Sequence, residues 1–118
     1  MKWVVHLVGD VHQPLHCAER NHDKGGNSRL VFYPGERKAV NLHSVWDTWL
    51  LRDVIGRQRI AAVADGMGKT IAAEQRKAWA KGTPRQWAEE SHAVAVRVAY
   101  QEGACFRADR LGPPGWSR

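Results

Sequence analysis

With 118 residues the chain has room for one small domain, and 43% hydrophobic content is enough for a core. A formal net charge of +6 favours polyanionic partners such as nucleic acid, anionic lipid heads or phosphate esters, while its scatter along the chain argues against a disordered basic arm. No apolar run of about twenty residues exists, which argues against a membrane-spanning helix. The apolar opening Met1–Val5 is cut by His6 and Asp10, so it does not read as a signal peptide. It does begin inside an apolar-periodic pattern with no capping residue before it, so we expect the ancestral domain to start upstream of Met1. Cys17 and Cys105 are the two cysteines; without a short CxxC spacing they suggest structural or disulfide roles rather than a cysteine-rich zinc site. Six tryptophans stand against two phenylalanines. Buried indoles want a hydrogen-bond partner, so packing takes most of them and a site or groove edge takes the rest.

In chain order, residues 1 to about 12 read as a helix. Trp3, His6, Leu7 and Asp10 share one stripe, and Val4, Val8 and Val11 fill the next. Pro14 disfavours helical geometry at Gln13, which ends the helix near there and leaves His16 on the turn. Residues 17 to 29 are polar, with Gly25-Gly26-Asn27 permitting positive φ and close backbone approach. Leu30–Tyr33 and Ala39–Val40, separated by Pro34-Gly35, predict a small hairpin. Asn41 is a good N-cap for a helix from Leu42 to about Ile55, stopped by Gly56, with Leu42, Val45, Trp46, Trp49 and Leu50 as its apolar surface. Residues 58 to 80 predict further helix, broken or loosened midway by Gly66 and Gly68. Thr83, Pro84 and Gln86 form a capping box for a helix running to about Glu102, ended by Gly103, with Trp87, Ser91, Val94, Ala95 and Val98 buried. Residues 111–118 read as an irregular tail.

The chemistry lies in two His-x-x-x-Asp pairs. His6 with Asp10, and His43 with Asp47, each stand four apart and share a helix face. Zinc takes imidazole and carboxylate ligands, leaving one position open to water in catalytic sites. His16, His43 and Asp47 make such a three-ligand set, and His6 with Asp10 makes half of another. Asp10 carries two oxygens and can bridge two metals, which makes it the catalytic candidate as well as a ligand. His12 points off the face of His6 and Asp10; His22 reads as solvated, and His92 as a surface or packing residue. Spacing alone does not choose between a nuclease, a phospholipase and a structural zinc module.

Read together, the segments His6–His16, Asp23–Asn27, Asn41–Asp47 and Trp87–His92 resemble, in order and spacing, the zinc-dependent single-strand-specific nucleases of the P-one and S-one type. Those nucleases share a fold with bacterial zinc phospholipase C. The resemblance covers nearly the whole chain but only the C-terminal part of the family's domain, here residues 1–110. It implies a mainly α-helical fold with a small β-hairpin and a trinuclear zinc site. His16, His43 and Asp47 match the protein ligands of one zinc. His6 and Asp10 match ligands of a second, with Asp10 bridging to the third; the remaining ligands lie in the family's N-terminal half. The implied reaction is phosphodiester hydrolysis in single-stranded DNA or RNA, leaving 5′-phosphate products. Export to the periplasm or medium is implied too, with no membrane association and no obligate protein partner. Phospholipase C relatives usually carry Glu where Asp47 stands, which favours the nuclease branch. A truncated remnant that binds one zinc without turnover is the alternative.

Overall fold

The computed structural model describes residues 1–101. Helix α1 spans Lys2–Val11 and gives way to a 3-10 turn at Pro14–His16. Gln13 closes that turn, its side-chain oxygen accepting the Leu15 amide hydrogen, as expected where proline forbids helix to continue. Strands β1 (Leu30–Val31) and β2 (Val40–Asn41) pair antiparallel, Leu30 opposite Asn41 and Val31 opposite Val40. The hairpin is shorter than predicted. The strand ends at Val31, ahead of Phe32 and Tyr33, and a turn closes immediately after them, with the Glu36 amide on the Tyr33 carbonyl at 3.0 Å.

Helix α2 (42–55) starts where predicted. Asn41 accepts the Ser44 amide hydrogen at 2.7 Å, and Gly56 ends the helix at φ +57°. Its interior is not uniform. Leu42–Ser44 and Leu50–Ile55 are α-helical, but Val45–Trp49 is a π turn, in which the Leu50 amide reaches the Val45 carbonyl five residues back.

Helix α3 (Ile60–Thr70) runs straight through Gly66 and Gly68, contrary to the predicted midway break. Both glycines face open space, so the helix loses only their backbone entropy, on the order of 1 kcal/mol each, which is not enough to open it. The chain turns instead at Ile71 and Ala72. There the Arg76 guanidinium, from α4 (Ala73–Trp79), donates to the Gly68 and Ile71 carbonyls and satisfies the end of α3. Replacing Gly66 with alanine is expected to stabilise α3 by about 0.5–1 kcal/mol, read as increased helicity and thermal midpoint by circular dichroism.

Helix α5 (84–99) opens with the predicted box. Thr83 Oγ1 accepts the Gln86 amide hydrogen, and Gln86 Oε1 accepts that of Thr83. Ala95–Ala99 forms a second π turn, and the helix stops at Tyr100 rather than Glu102. The extra residue rotates the end of the helix. Ala99 and Tyr100 become buried while Val98 faces solvent, which corrects the predicted buried stripe. Gly103, Cys105 and residues 111–118 lie outside the described residues, as does any Cys17–Cys105 pairing.

The core gathers Leu15, Val31, Tyr33, Leu42, Val45, Ala95, Ala99 and Tyr100, with Ala18, Val40, Trp46, Trp49 and Leu50 packed around it. It therefore joins the Pro14–His16 turn, the hairpin, the first half of α2 and the end of α5. At its edge, Tyr33 donates its hydroxyl hydrogen to Asp53, Arg52 pairs with Glu36 at 2.9 Å, and the same guanidinium lies 4.2 Å over Trp49, tying hairpin to α2. Helix α1 stands apart: none of its residues is buried, and Trp3, Val4, Val5 and Leu7 are all exposed. Among the described residues no helix is long and apolar enough to cross a membrane. The architecture is mainly helical with one small antiparallel hairpin, as the sequence predicts.

Candidate metal centre

The turn at Pro14–His16 and the start of α2 are neighbours through the buried pair Leu15 and Leu42. That packing carries His16 toward His43 and Asp47, which lie one turn apart on α2. The three residues offer ligand atoms all within 4.8 Å of one another. His43 Nε2 is 3.2 Å from Asp47 Oδ2, and His16 Nε2 is 3.6 Å from Asp47 Oδ1. The imidazole rings lie 5.0 Å apart and nearly parallel, at 25°.

The opposite ring nitrogens are engaged elsewhere. His43 Nδ1 meets the Gly25 carbonyl at 2.8 Å, and His16 Nδ1 meets the Asp10 carbonyl at 3.2 Å. A carbonyl can only accept, so each Nδ1 is the donor there, and each Nε2, facing Asp47, is the nitrogen left to a metal. Gln13 Nε2 donates to Asp47 Oδ1 at 2.7 Å and fixes the carboxylate from a third side. Two imidazole nitrogens and a carboxylate, each oriented from behind, fit a tetrahedral zinc with one position open. His43 is the anchor, with a side chain 19% exposed against 29% for His16 and 37% for Asp47.

The structure also brings His6 to Asp10 as the spacing predicts, with Nε2 3.4 Å from Oδ2. Asp10 Oδ1 lies 3.7 Å from His16 Nδ1, so the carboxylate stands between His6 and the triad. His6 joins no three-residue cluster among the described residues. His22 is exposed in the loop. His92 holds the Cys17 carbonyl at 2.9 Å, a packing role. Burial raises the Cys17 thiol above its ordinary range, its Sγ donates to the Val11 carbonyl at 3.3 Å, and it does not join the His16, His43 and Asp47 cluster.

Two groups that shape the centre escaped the sequence. Gln13 acts across 34 positions, and no local signal marks it. The Gly25 carbonyl had a signal in the tandem glycines: at φ +62° Gly25 passes close to Leu15 and to His43. The loop carrying it is pinned by Asp23. Burial pushes the Asp23 carboxyl upward, but the Gly26 and Arg20 amides, the Tyr100 hydroxyl and Arg29 outweigh that and hold it below the usual range. Burial raises the Tyr100 phenol, and the bond to Asp23 at 3.0 Å raises it further.

The two shifts bracket a pH window. A lowered Asp23 stabilises the fold above the ordinary aspartate range, and this is lost as pH falls through its folded value. A raised Tyr100 stabilises the fold below about pH 10, and this is lost as pH rises through its folded value. Tyr100→Phe is expected to cost about 1 kcal/mol at neutral pH and to remove the alkaline limb of a plot of urea midpoint against pH, while the acid limb, held also by the Gly26 and Arg20 amides, only becomes shallower.

A profile of the S1/P1 Nuclease family matches residues 1–109. Nuclease S1 of Aspergillus oryzae is 29% identical over 90% of this chain and 41% of its own length. Nuclease P1 of Penicillium citrinum is 30% identical over 88% of this chain and 43% of its own. Endonuclease 2 of Arabidopsis thaliana is 34% identical over 84% of this chain and 37% of its own. The chain thus spans about two fifths of the length of these relatives. A family profile over nearly all of the chain, with relatives named as nucleases, establishes that it belongs to the S1/P1 nuclease family.

Proposed function

We propose that the chain is the C-terminal portion, over residues 1–110, of a zinc-dependent nuclease that hydrolyses single-stranded DNA and RNA to 5′-phosphate products. One observation carries the metal assignment: two imidazole Nε2 atoms and the Asp47 carboxylate converge while both Nδ1 atoms are held by backbone carbonyls. His16, His43 and Asp47 hold one zinc, and His6 and Asp10 supply part of a further set, with Asp10 bridging. Zinc bound there would act as a Lewis acid toward a phosphate oxygen and a departing oxygen. The chain's own residues do the positioning. Gly25 and Asp10 fix the ring faces through their carbonyls, and Gln13 fixes the Asp47 carboxylate. The same reading carries an exported, periplasmic or secreted, location.

Metal analysis joined to a cleavage assay tests this. The expected result is bound zinc that a chelator removes, and cleavage of a single-stranded oligonucleotide but not its duplex, with 5′-phosphate ends. Zinc binding at about one ion per chain without cleavage would favour the non-catalytic module. Absence of zinc binding would overturn the assignment.

A further inference from the structure

We infer that α3, α4 and the segment leading into α5 form a docking surface for the phosphate backbone of a nucleic-acid duplex, beside the single strand taken by the metal centre. The inference rests on the nucleic-acid reading above and goes beyond it, since the centre itself takes unpaired strand. From Gly56 to Arg85 seven basic residues stand against two acidic ones, Asp65 and Glu74. In the other described residues eight basic residues stand against eight acidic ones. The net positive charge of the described chain therefore lies wholly in this segment, although no long run of cations marks it.

No residue from 56 to 85 is buried, and all seven basic residues are exposed. Two of the seven are engaged. Arg76 closes the end of α3 through the Gly68 and Ile71 carbonyls, and Arg85 pairs with Glu89 at 2.9 Å. Arg57, Arg59, Lys69, Lys77 and Lys81 make no ion pair among the described residues. Like charges left without partners repel one another, and a polyanion supplies the missing counter-charge.

These cations fall into two groups. Arg57 and Arg59 precede α3. Lys69 lies in its last turn, and the Arg76 bridge holds α4, with Lys77, against that end. The 11 residues of α3 set the groups about 16 Å apart, close to the major-groove width of about 12 Å, so the two can meet phosphates of opposite strands. Between them α3 carries Asp65 and otherwise small or apolar side chains, with no donor to read a base, so recognition is of phosphate. The same lack of cations along its polar face sets α3 apart from a helix that lies in an anionic membrane. Lys81 leads back to the centre. Its carbonyl accepts the Trp87 indole hydrogen at 3.2 Å, and the Trp87 ring lies 5.6 Å from that of His12, two residues past Asp10. A duplex held on α3 and α4 can thus continue as single strand toward the metal ligands.

Fluorescence anisotropy of the full chain with a labelled, hydrolysis-resistant phosphorothioate duplex, repeated over a range of salt, tests the surface. Wild type is expected to bind, with log affinity falling against log salt by about 0.9 for each phosphate contacted. Lys69→Ala combined with Lys77→Ala should lower that slope by about two and weaken binding about tenfold or more at low salt. Lys69→Arg combined with Lys77→Arg should keep both slope and affinity, and thermal melts check that each variant folds. Arg37→Ala combined with Lys38→Ala removes the same charge from the exposed hairpin turn and should leave the slope unchanged. No binding of the duplex, an unaltered slope in the Lys69 and Lys77 alanine variant, or binding to vesicles of phosphatidylcholine and phosphatidylserine in place of the duplex would overturn the docking surface. If zinc binding and single-strand cleavage persist beside that result, the nuclease reading stands alone. Lysine-dependent duplex binding by a chain that neither holds zinc nor cleaves would sink the nuclease reading and keep the docking surface.

Discussion

Replacing His43 with alanine is expected to abolish stable zinc binding at the triad, weakening affinity by about a hundredfold or more. His43 is the least exposed of the three ligand candidates, and its ring is fixed by Gly25 on one side and faces Asp47 on the other. Without it, His16 and Asp47 are left as two ligands, too few for a closed site. The fold should survive, because the side chain belongs to no core cluster and the released Gly25 carbonyl can find water. The measurement is zinc per chain by elemental analysis after dialysis, with a thermal melt in parallel. Wild-type protein should gain stability with added zinc, as any ligand binding only the folded state requires, and His43→Ala should not. His22→Ala, altering an exposed loop residue, should behave as wild type. Unchanged zinc content in His43→Ala would refute the triad.

Gly25→Ala should produce the largest loss of stability among the described glycine positions. Its backbone sits at φ +62°, and an added Cβ would lie 2.5 Å from the Leu15 carbonyl oxygen, 3.3 Å from that of Ala18 and 3.6 Å from His43 Nδ1. The left-handed conformation alone costs about 1–2 kcal/mol in an L-residue. The clash is with backbone of the Pro14–His16 turn, which cannot swing aside as a side chain can. We expect about 3 kcal/mol or more in total. Because the same residue fixes the His43 ring, zinc affinity should fall as well, by about 10- to 100-fold. Gly35→Ala is the matched control. Gly35 also has positive φ, at +87°, but nothing lies within 4 Å of its added Cβ. It should lose only the conformational part and leave zinc binding intact. Equal denaturation midpoints for the two variants would show that the close approach at Gly25 carries no weight.

Distance along the chain decides how much of the fold and the centre is legible in the sequence. The His6–Asp10 and His43–Asp47 pairs need only one helical turn, and both form. The Asn41 cap and the Thr83–Gln86 box act over three residues, and both are present. Bringing His16 to His43 requires a fold, and here the family resemblance supplies what spacing does not. The groups behind the ligands are out of reach of local pattern, since Gln13 and the Gly25 carbonyl act across 34 and 18 positions. Helix phase is also lost where a π turn intervenes: periodicity assigns Val98 to the core, and Ala99 takes its place. An apolar pattern in α1 predicts the helix correctly, yet periodicity does not reveal what covers it.

The π turn at Val45–Trp49 bears on how this centre can change. Such a turn holds one residue more than the α-helix needs, and the helix on either side keeps its rotation if that residue is lost. Upstream, Leu42 and His43 are set by the core and by Gly25; downstream, Arg52 and Asp53 are set by the hairpin. Asp47 lies between these two anchored halves, inside the wide turn. A ligand placed in such slack can be re-aimed by a one-residue deletion while both flanking packings stay in register. In α2 the scaffold and the ligand geometry are therefore separable inheritances.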